Sequence, residues 1–106
     1  KNNKLQINLA INYGSKNELI NALKLLNRSK LILNEKNLTK FLHTKNIPDP
    51  ELLIRTGNTS RLSNFLLWQI AYSELYFTDV HWPSFSRNNL YEAIESYQYR
   101  RRKYGK

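Results

Sequence analysis

Cysteine is absent from this 106-residue chain. A disulfide framework is therefore excluded, and so is any zinc site or nucleophile that depends on a thiolate. No apolar run approaches the roughly 20 residues that a membrane-spanning helix requires. Glycine and proline are scarce as well, with three of each, and no Gly- or Pro-rich linker interrupts the chain. The length suits one small domain with one modest core.

Acidic side chains are also in short supply. Asp and Glu together number 8 against 17 Lys and Arg, which gives a net charge of +9. A domain this basic often meets phosphates, on nucleic acid, on phospholipid headgroups or on a phosphorylated small molecule. The alternative is a Lys-rich solvated surface with no ligand. Composition alone leaves both interpretations open, although 41% hydrophobic and 24% charged residues indicate a globular chain.

Hydrophobic periodicity predicts a mixture of strands and helices. Residues 5–14 alternate apolar and polar side chains, as a strand does, and Ser15 is a predicted helix cap with Glu18 three residues later. The predicted strands are 5–14, 50–57 and 76–83. The predicted helices are 15–30, 38–43, 63–75 and 86–106. The apolar residues of 63–75 cover nearly all faces of that helix, which indicates deep burial.

Strands that alternate with helices indicate a parallel sheet covered on both faces. The predicted fold class is therefore α/β, with a parallel sheet flanked by helices. Three strands are few for that architecture, the chain has no methionine, and a strand-like segment begins almost at once. We therefore expect a partial, about three-stranded piece of a larger single-domain fold.

One loop combines several features of an anion site. Ligands of open α/β sheets bind beyond the carboxyl ends of the strands, and Arg55 lies at that end of the second predicted strand. Gly57 and Asn58 allow a tight turn with exposed N–H groups. Arg61 precedes Ser63, the predicted N-cap of the next helix, whose dipole attracts anions. Guanidinium forks suit a diphosphate. An ordinary loop with surface arginines is the alternative.

The segment LLIRTGNTSRLSNFLLWQIAYSELYFTDVHWPSF, residues 52–85, resembles the C-terminal signature region of the cis-prenyltransferases, the undecaprenyl diphosphate synthase family. LAINYGSKNELINAL resembles the preceding strand–helix unit of that family, and YRRRKYG resembles its basic C-terminal motif. The resemblance implies that residues 1–106 form the C-terminal half of one cis-prenyltransferase domain, with the N-terminal half absent.

The family implies an enzyme that condenses isopentenyl diphosphate with an allylic diphosphate to give a cis-polyprenyl diphosphate. Carried over by motif, Arg55, Arg61, Leu62 and Ser63 would bind the isopentenyl diphosphate, and Glu74 would serve a Mg²⁺ site. No catalytic residue is expected in this chain, because the family's catalytic aspartate belongs to the N-terminal half. The chain alone is expected to be inactive.

The resemblance also implies partners and a location. We expect a homodimer in which Lys103 and Gly105 contact the diphosphate site of the partner subunit. Nucleic acid is not an expected partner. The expected location is cytoplasmic, with peripheral association with the membrane through the lipid product. The chain departs from the family pattern at Ser60 and Ser84, and its Lys103-Tyr104-Gly105 replaces the usual Arg-x-Gly.

Glu74 presents a geometric difficulty. It lies eleven residues beyond Ser63, which on a continuous helix is about 16 Å along the axis. Either the helix is broken or Glu74 reaches into the partner subunit's site. The two histidines have no companions at metal-ligand spacing, so we expect His43 on the surface and His81 in strand packing. Four aromatic residues are expected in the core or in dimer contacts: Trp68, Tyr72, Tyr76 and Phe77.

Two other functions are compatible with the sequence. A non-catalytic partner subunit of the same fold is the first, although such subunits tend to lose the substrate-binding residues that are present here. A basic nucleic-acid-binding module is the second. Against that module, the aromatic side chains lie in apolar segments and are not interleaved with cations as stacking platforms.

Overall fold

The computed structural model describes the backbone of residues 5–103 and the side chains of residues 5–101. The chain forms two compact units, Lys1–Lys45 and Asn46–Lys106. The described residues form three α-helices, two strands and a short 3₁₀-helix, in the order α1 (Ser15–Ser29), α2 (Glu35–Thr39), β1 (Leu52–Arg55), β2 (Glu74–Phe77), the 3₁₀-helix (Trp82–Ser84) and α3 (Arg87–Lys103). No helix among these residues has the length and apolarity needed to cross a bilayer.

Helix α1 confirms the predicted helix at 15–30. Its N-cap is Gly14, in an extended conformation without a side-chain cap, and Ser15 is the first helical residue. The prediction that Ser15 caps the helix is therefore wrong. Ala22 and Leu26 are buried, four residues apart on one face, as helical periodicity requires. Lys30 ends the helix in the left-handed region with φ 67°.

Glu18 is 2% exposed and is the best-anchored carboxylate of the first unit. It accepts a hydrogen bond from the Tyr13 hydroxyl through Oε1. Its Oε2 accepts the backbone N–H of His43 at 2.8 Å. A buried carboxylate needs such donors, because losing water without them is costly. Glu18 therefore ties the entry of α1 to the segment that follows α2.

Helix α2 begins earlier than the predicted helix at 38–43. Asn34 is the N-cap, and its Oδ1 accepts the Asn37 N–H at 2.8 Å, which is the contact that makes Asn a strong cap. Helix-like turns continue beyond Thr39 and carry Leu42, which is 3% exposed, beside Leu38 at 6%. The apolar spacing identified the buried side chains, but the cap fixed where the helix starts.

Residues 5–14 contain no strand, contrary to prediction. Their alternation is present in the sequence, and Leu5, Ile7, Leu9 and Ile11 are 74–83% exposed. A strand requires a hydrogen-bonded neighbour, and the described residues supply none. The sheet therefore has two strands in place of the expected three.

Strands β1 and β2 confirm the parallel sheet. Leu52 is opposite Glu74 and Arg55 is opposite Phe77. The register places the carboxyl ends of both strands at one edge, with Glu74 at the other. The Ser73 hydroxyl donates to the Pro50 carbonyl at 2.6 Å and fixes the start of the pairing.

The predicted helix at 63–75 is wrong. Residues 63–72 form successive turns, and Ser63, Asn64 and Leu66 have φ of 52°, 65° and 46°. Left-handed residues cannot belong to a right-handed helix. The expected deep burial is also wrong for most of this segment, because within it only Ile70 and the polar Gln69 are buried, at 5% and 3% exposed, whereas Tyr72 is 101% exposed.

Helix α3 confirms the last predicted helix. Ser86 precedes it, and its backbone N–H donates to Asn89 Oδ1 at 2.8 Å, while the Asn89 N–H donates to Ser86 Oγ at 3.3 Å. This reciprocal pair satisfies N–H groups that a helix start leaves free. Near the other end, Arg100 Nη1 donates to the Leu75 carbonyl at 2.7 Å and holds α3 against β2.

Candidate functional site

The loop after β1 continues the sheet's hydrogen bonding. The Thr78 N–H donates to the Arg55 carbonyl at 3.0 Å, the Gly57 N–H to the Val80 carbonyl at 2.8 Å and the Asn58 N–H to the Thr78 carbonyl at 3.1 Å. The prediction that the turn exposes its N–H groups is therefore wrong. These donors position the loop and are not available to an anion.

Gly57 supplies the turn's unusual geometry. Its φ is +87°, and a Cβ added there would lie 3.8 Å from His81 Nδ1. A side chain has room at this position, but the backbone conformation disfavours it. His81 is exposed and follows β2, so the expectation that it packs within a strand is wrong. His43 is exposed, as expected.

Two cations are associated with this loop, which comprises residues 56–63 and is called the cationic loop below. Arg55 is half-buried at the end of β1, whereas Arg61 is exposed. Within the described part of the chain, no hydrogen bond or ion pair engages either guanidinium. Ser63 is exposed and starts no helix, so the dipole expected there is missing. Leu62 is half-buried. The loop thus presents guanidinium groups and a hydroxyl, which are donors suited to phosphate oxygens.

A cavity of about 450 Å³ opens at the same edge of the sheet. It is lined by Ile54, Thr56, Trp82, Phe85, Ser86, Arg87 and Leu90. The Trp82 and Phe85 rings stack with centroids 5.9 Å apart. Because Thr56 directly follows Arg55, this apolar cavity adjoins the cationic loop.

Arg87 is a lining residue that sequence reasoning missed. It is the first residue of α3. A signal was available, because a cation in the first turn of a helix opposes the helix dipole. A charge placed against its local preference is a reason to look for a ligand or a partner.

The opposite edge of the sheet holds Glu74, the first residue of β2. Arg100 Nη1 lies 3.3 Å from its Oε1, and both side chains are 38% exposed. Glu74 also lines a second cavity of about 250 Å³. The lining of that cavity comprises Asp49, Pro50, Glu51, Gln69, Tyr72, Ser73, Glu74, Tyr97 and Arg101.

A second polar cluster stands beside Glu74. The Tyr97 hydroxyl donates to Glu51 Oε1, and Arg101 Nη1 contacts Glu51 at 3.2 Å and Tyr97 Oη at 2.7 Å. The Arg101 guanidinium also lies 5.6 Å from the centroid of the Tyr97 ring. The hydrogen bond to Tyr97 raises the pKa of Arg101 above its usual value. The amino edge of the sheet thus carries paired charges that are open to solvent.

The structure separates Glu74 from the cationic loop. Its partner Leu52 is three residues before Arg55, which is about 10 Å along the strand. Among the described residues, no three His, Asp or Glu side chains are grouped to hold a metal ion. Within the described part of the chain, Arg55 and Glu74 therefore do not meet at one point.

The remaining expected contacts are only partly described. Lys103 is the last residue of α3, but its side chain and Gly105 lie outside the described residues. Tyr72 is 101% exposed and Phe77 is 38% exposed, so neither is a core residue. Trp68 and Tyr76 are half-buried.

Comparison with protein families matches residues 1–105 to the family described as "Putative undecaprenyl diphosphate synthase". The chain is 53% identical over 110 residues to the isoprenyl transferase of Chlamydia trachomatis, covering 97% of this chain and 44% of that protein. It is 46% identical over 111 residues to the tritrans,polycis-undecaprenyl-diphosphate synthase (geranylgeranyl-diphosphate specific) of Thermoplasma acidophilum, covering 98% and 43%.

The fold matches a solved structure as well. The crystal structure of "a probable undecaprenyl diphosphate synthase" from Campylobacter jejuni superimposes with a TM-score of 0.78 at 43% identity. The match covers 91% of this chain and 45% of that chain. The chain therefore spans less than half the length of the relatives it matches.

Proposed function

Because the chain belongs to the undecaprenyl diphosphate synthase family, we propose that it is the C-terminal half of an enzyme domain whose N-terminal half lies outside this sequence. The enzyme joins isopentenyl diphosphate to an allylic diphosphate: a carbon–carbon bond forms as the allylic carbon–oxygen bond breaks, inorganic diphosphate leaves, the isopentenyl unit loses a proton, and the product is a cis-polyprenyl diphosphate. The observation that carries the proposal is a pair of guanidinium groups at the carboxyl edge of a parallel sheet, Arg55 at the end of β1 and Arg61 in the loop that follows, neither of which has a partner among the described residues.

The loop's role in this reaction is to bind and orient isopentenyl diphosphate. Arg55 and Arg61 pair with the phosphate oxygens, Ser63 donates its hydroxyl, and Leu62 holds the loop through its half-buried side chain. Hydrogen bonds from Gly57 and Asn58 to the segment after β2 keep the loop in place before substrate arrives. Such preorganisation lowers the entropic cost of bringing two substrates together.

Magnesium binding involves Glu74 together with groups from outside this chain. Mg²⁺ at diphosphate sites is commonly held by one or two carboxylates, phosphate oxygens and waters, so one carboxylate is a sufficient contribution. Glu74 lies about 10 Å along the sheet from Arg55. We therefore assign it to the substrate site of the partner subunit in a homodimer.

The C-terminal tail would serve the same partner site. Arg100 contacts Glu74, so α3 ends near the Glu74 edge of the sheet. Lys103 and Gly105 follow within a few residues and would approach the same diphosphate. The proposed location is the cytoplasm, with peripheral association with the membrane.

Incorporation of radiolabelled isopentenyl diphosphate by the full-length protein, with Mg²⁺ and farnesyl diphosphate, tests the activity. The absence of incorporation under these conditions would refute the proposed activity. If the protein only raised the activity of a second, catalytic subunit, it would be a non-catalytic partner. Measurable turnover by the 106-residue chain alone would show that the missing half is not needed.

Mixing two impaired variants, assayed at isopentenyl diphosphate concentrations well below KM, tests the shared site. Suppose that each site takes Arg55 from one subunit and Glu74 from the other. A dimer of an Arg55→Ala chain with a Glu74→Gln chain then has one damaged site and one intact site. Random mixing then restores about a quarter of the wild-type activity. A site built within one chain leaves every site damaged, and no activity returns. The Arg55→Ala variant mixed with itself is the control.

A further inference from the structure

The loop between α1 and α2, residues 30–34, presents three consecutive apolar side chains. Leu31, Ile32 and Leu33 are 45%, 77% and 70% exposed. Scattered apolar residues on a surface are ordinary, but a contiguous exposed group indicates an interaction site. None of these side chains takes part in the proposed prenyl transfer.

The main chain of this loop is held by its own polar contacts. The Leu31 N–H donates to Ser29 Oγ at 3.1 Å. The Ile32 carbonyl accepts from Asn37 Nδ2 at 2.7 Å. A backbone group that enters an apolar medium without a partner carries a large penalty. These two groups already have partners, so the tip of the loop can leave water without losing their hydrogen bonds.

Cations surround the apolar tip. Glu35 is the one carboxylate in residues 24–40. The exposed basic side chains of the same segment are Lys24, Arg28, Lys30, Lys36 and Lys40. An apolar group framed by Lys and Arg is the composition that binds anionic lipid, because the apolar part enters the acyl region while the cations meet the headgroups.

The apolar segment at 5–11 suits a different partner. Leu5, Ile7, Leu9 and Ile11 alternate with polar or small residues, which is the pattern that the edge of a sheet accepts. Leu31, Ile32 and Leu33 are consecutive, so a strand would send their side chains to opposite faces. A short apolar tip ringed by cations fits the interface of a bilayer better than the surface of a sheet.

We propose that the α1–α2 loop docks the protein on an anionic lipid surface, with Leu31, Ile32 and Leu33 inserted at the acyl boundary and the flanking cations on the headgroups. The inference deepens the proposed function, on which its purpose rests, because it gives an enzyme with a lipid product a binding surface of its own. Docking itself requires neither substrate nor product.

Vesicle sedimentation of the full-length protein, with no prenyl substrate present, tests the proposal. The protein should pellet with phosphatidylcholine vesicles that contain phosphatidylglycerol and much less with phosphatidylcholine alone. The double variant Ile32→Ser/Leu33→Ser should lose at least about tenfold in partition. The control Tyr91→Ser/Ile94→Ser removes two exposed apolar side chains from α3 and should bind like wild type.

A second variant keeps the test independent of the apolar substitutions. Lys36→Gln/Lys40→Gln should weaken binding about fivefold for each cation removed, with the effect shrinking as salt is added. The proposal would be overturned if the wild-type protein did not bind anionic vesicles. It would also be overturned if the loop variant and its control lost equal amounts of vesicle binding. A loop covered by protein, either a second copy or the rest of the domain, would give the first of these outcomes.

Prenyl transfer onto soluble farnesyl diphosphate, measured on the same variants, separates the two proposals. The Ile32→Ser/Leu33→Ser variant should transfer at the wild-type rate in the absence of vesicles. A protein that binds vesicles but transfers no prenyl group would refute the proposed function and support the docking surface. A protein that transfers prenyl groups but binds no vesicles would refute the docking surface alone.

Discussion

Replacing Arg55 with alanine in the full-length protein should damage substrate binding and leave stability nearly unchanged. The guanidinium is half-buried and has no hydrogen bond or ion pair with the described residues. Within the part of the chain that the structure describes, its removal therefore leaves no donor or acceptor unpaired. The structural contribution of Arg55 lies in its backbone carbonyl, which accepts from Thr78 at 3.0 Å, and alanine keeps that contact.

The expected size of the effect follows from the bonds that a phosphate would lose. Hydrogen bonds to charged groups contribute about 1.5–3 kcal/mol, which corresponds to about a ten- to hundredfold loss in kcat/KM for isopentenyl diphosphate. Arg55→Lys should recover only part of this loss, because an ammonium keeps the charge but not the planar fork. The loss should appear mainly in KM, since the bond is also made with the bound substrate.

Steady-state kinetics with isopentenyl diphosphate varied at saturating farnesyl diphosphate measure this effect, and thermal unfolding of the same variant measures stability. Lys45→Ala is the control, because it removes an exposed cation that has no role in the proposed site. Wild-type kinetics for Arg55→Ala would refute the assignment of the loop to the diphosphate. A large fall in the unfolding temperature would show that the side chain has a structural partner.

Further predictions concern stability and the tail. Gly57→Ala should lower the free energy of unfolding by about 1–2 kcal/mol, because φ at this position is +87°. Gly14→Ala is the control and should have little effect, since φ there is −142°. Equal losses for the two variants in denaturant titrations would contradict this prediction. Glu18→Ala should cost at least about 2 kcal/mol, since it strands buried donors, and unchanged unfolding would exclude that role. Deleting residues 103–106 should raise the KM for isopentenyl diphosphate while sizing chromatography still shows a dimer, and Lys103→Arg should be tolerated; an unchanged KM in the truncated dimer would leave the tail as solvated charge.

Elements with a local signal were predictable from the sequence. Helix α1 has apolar residues at helical spacing, and the carboxyl end of β1 is marked by the Gly57 turn. Helix α3 follows a proline and a serine that can cap. In each case neighbouring residues supply the structure, so a short window of sequence contains the necessary information.

Elements that depend on distant partners were not predictable. The segment 63–75 is apolar on nearly all sides, and such a run does not distinguish a helix from a succession of turns. The left-handed residues Ser63, Asn64 and Leu66 decide between them, and two of the three side-chain types are uncommon at positive φ. The alternation at 5–14 predicts which side chains share a face, but it cannot supply the neighbouring strand that pairing requires.

The features of the candidate site were likewise predictable only where the signal is local. Arg55 at the end of β1 followed from the turn after an apolar run. The availability of the Gly57 and Asn58 N–H groups did not follow, because the segment after β2 takes them. For Glu74 the sequence left two alternatives, a broken helix or a site in the partner subunit, and the structure shows that no continuous helix joins Ser63 to Glu74.

The charged side chains at the two edges of the sheet differ in their pairing. Glu74 has a partner, whereas Arg55 has none among the described residues. Glu74 is held by Arg100 at 3.3 Å with both side chains 38% exposed. An ion pair so open to solvent is worth about 0–1 kcal/mol, so exchanging Arg100 for a divalent cation costs little. Arg100 also donates to the Leu75 carbonyl, which keeps the guanidinium in place when Glu74 turns away. The carboxylate would therefore be oriented before the proposed metal binds and could still leave Arg100, whereas Arg55 at the other edge has no side-chain partner among the described residues. In the proposed dimer, a diphosphate between two subunits would bind the Arg55 guanidinium of one chain. Glu74 of the other chain would exchange Arg100 for the divalent cation that the diphosphate also binds.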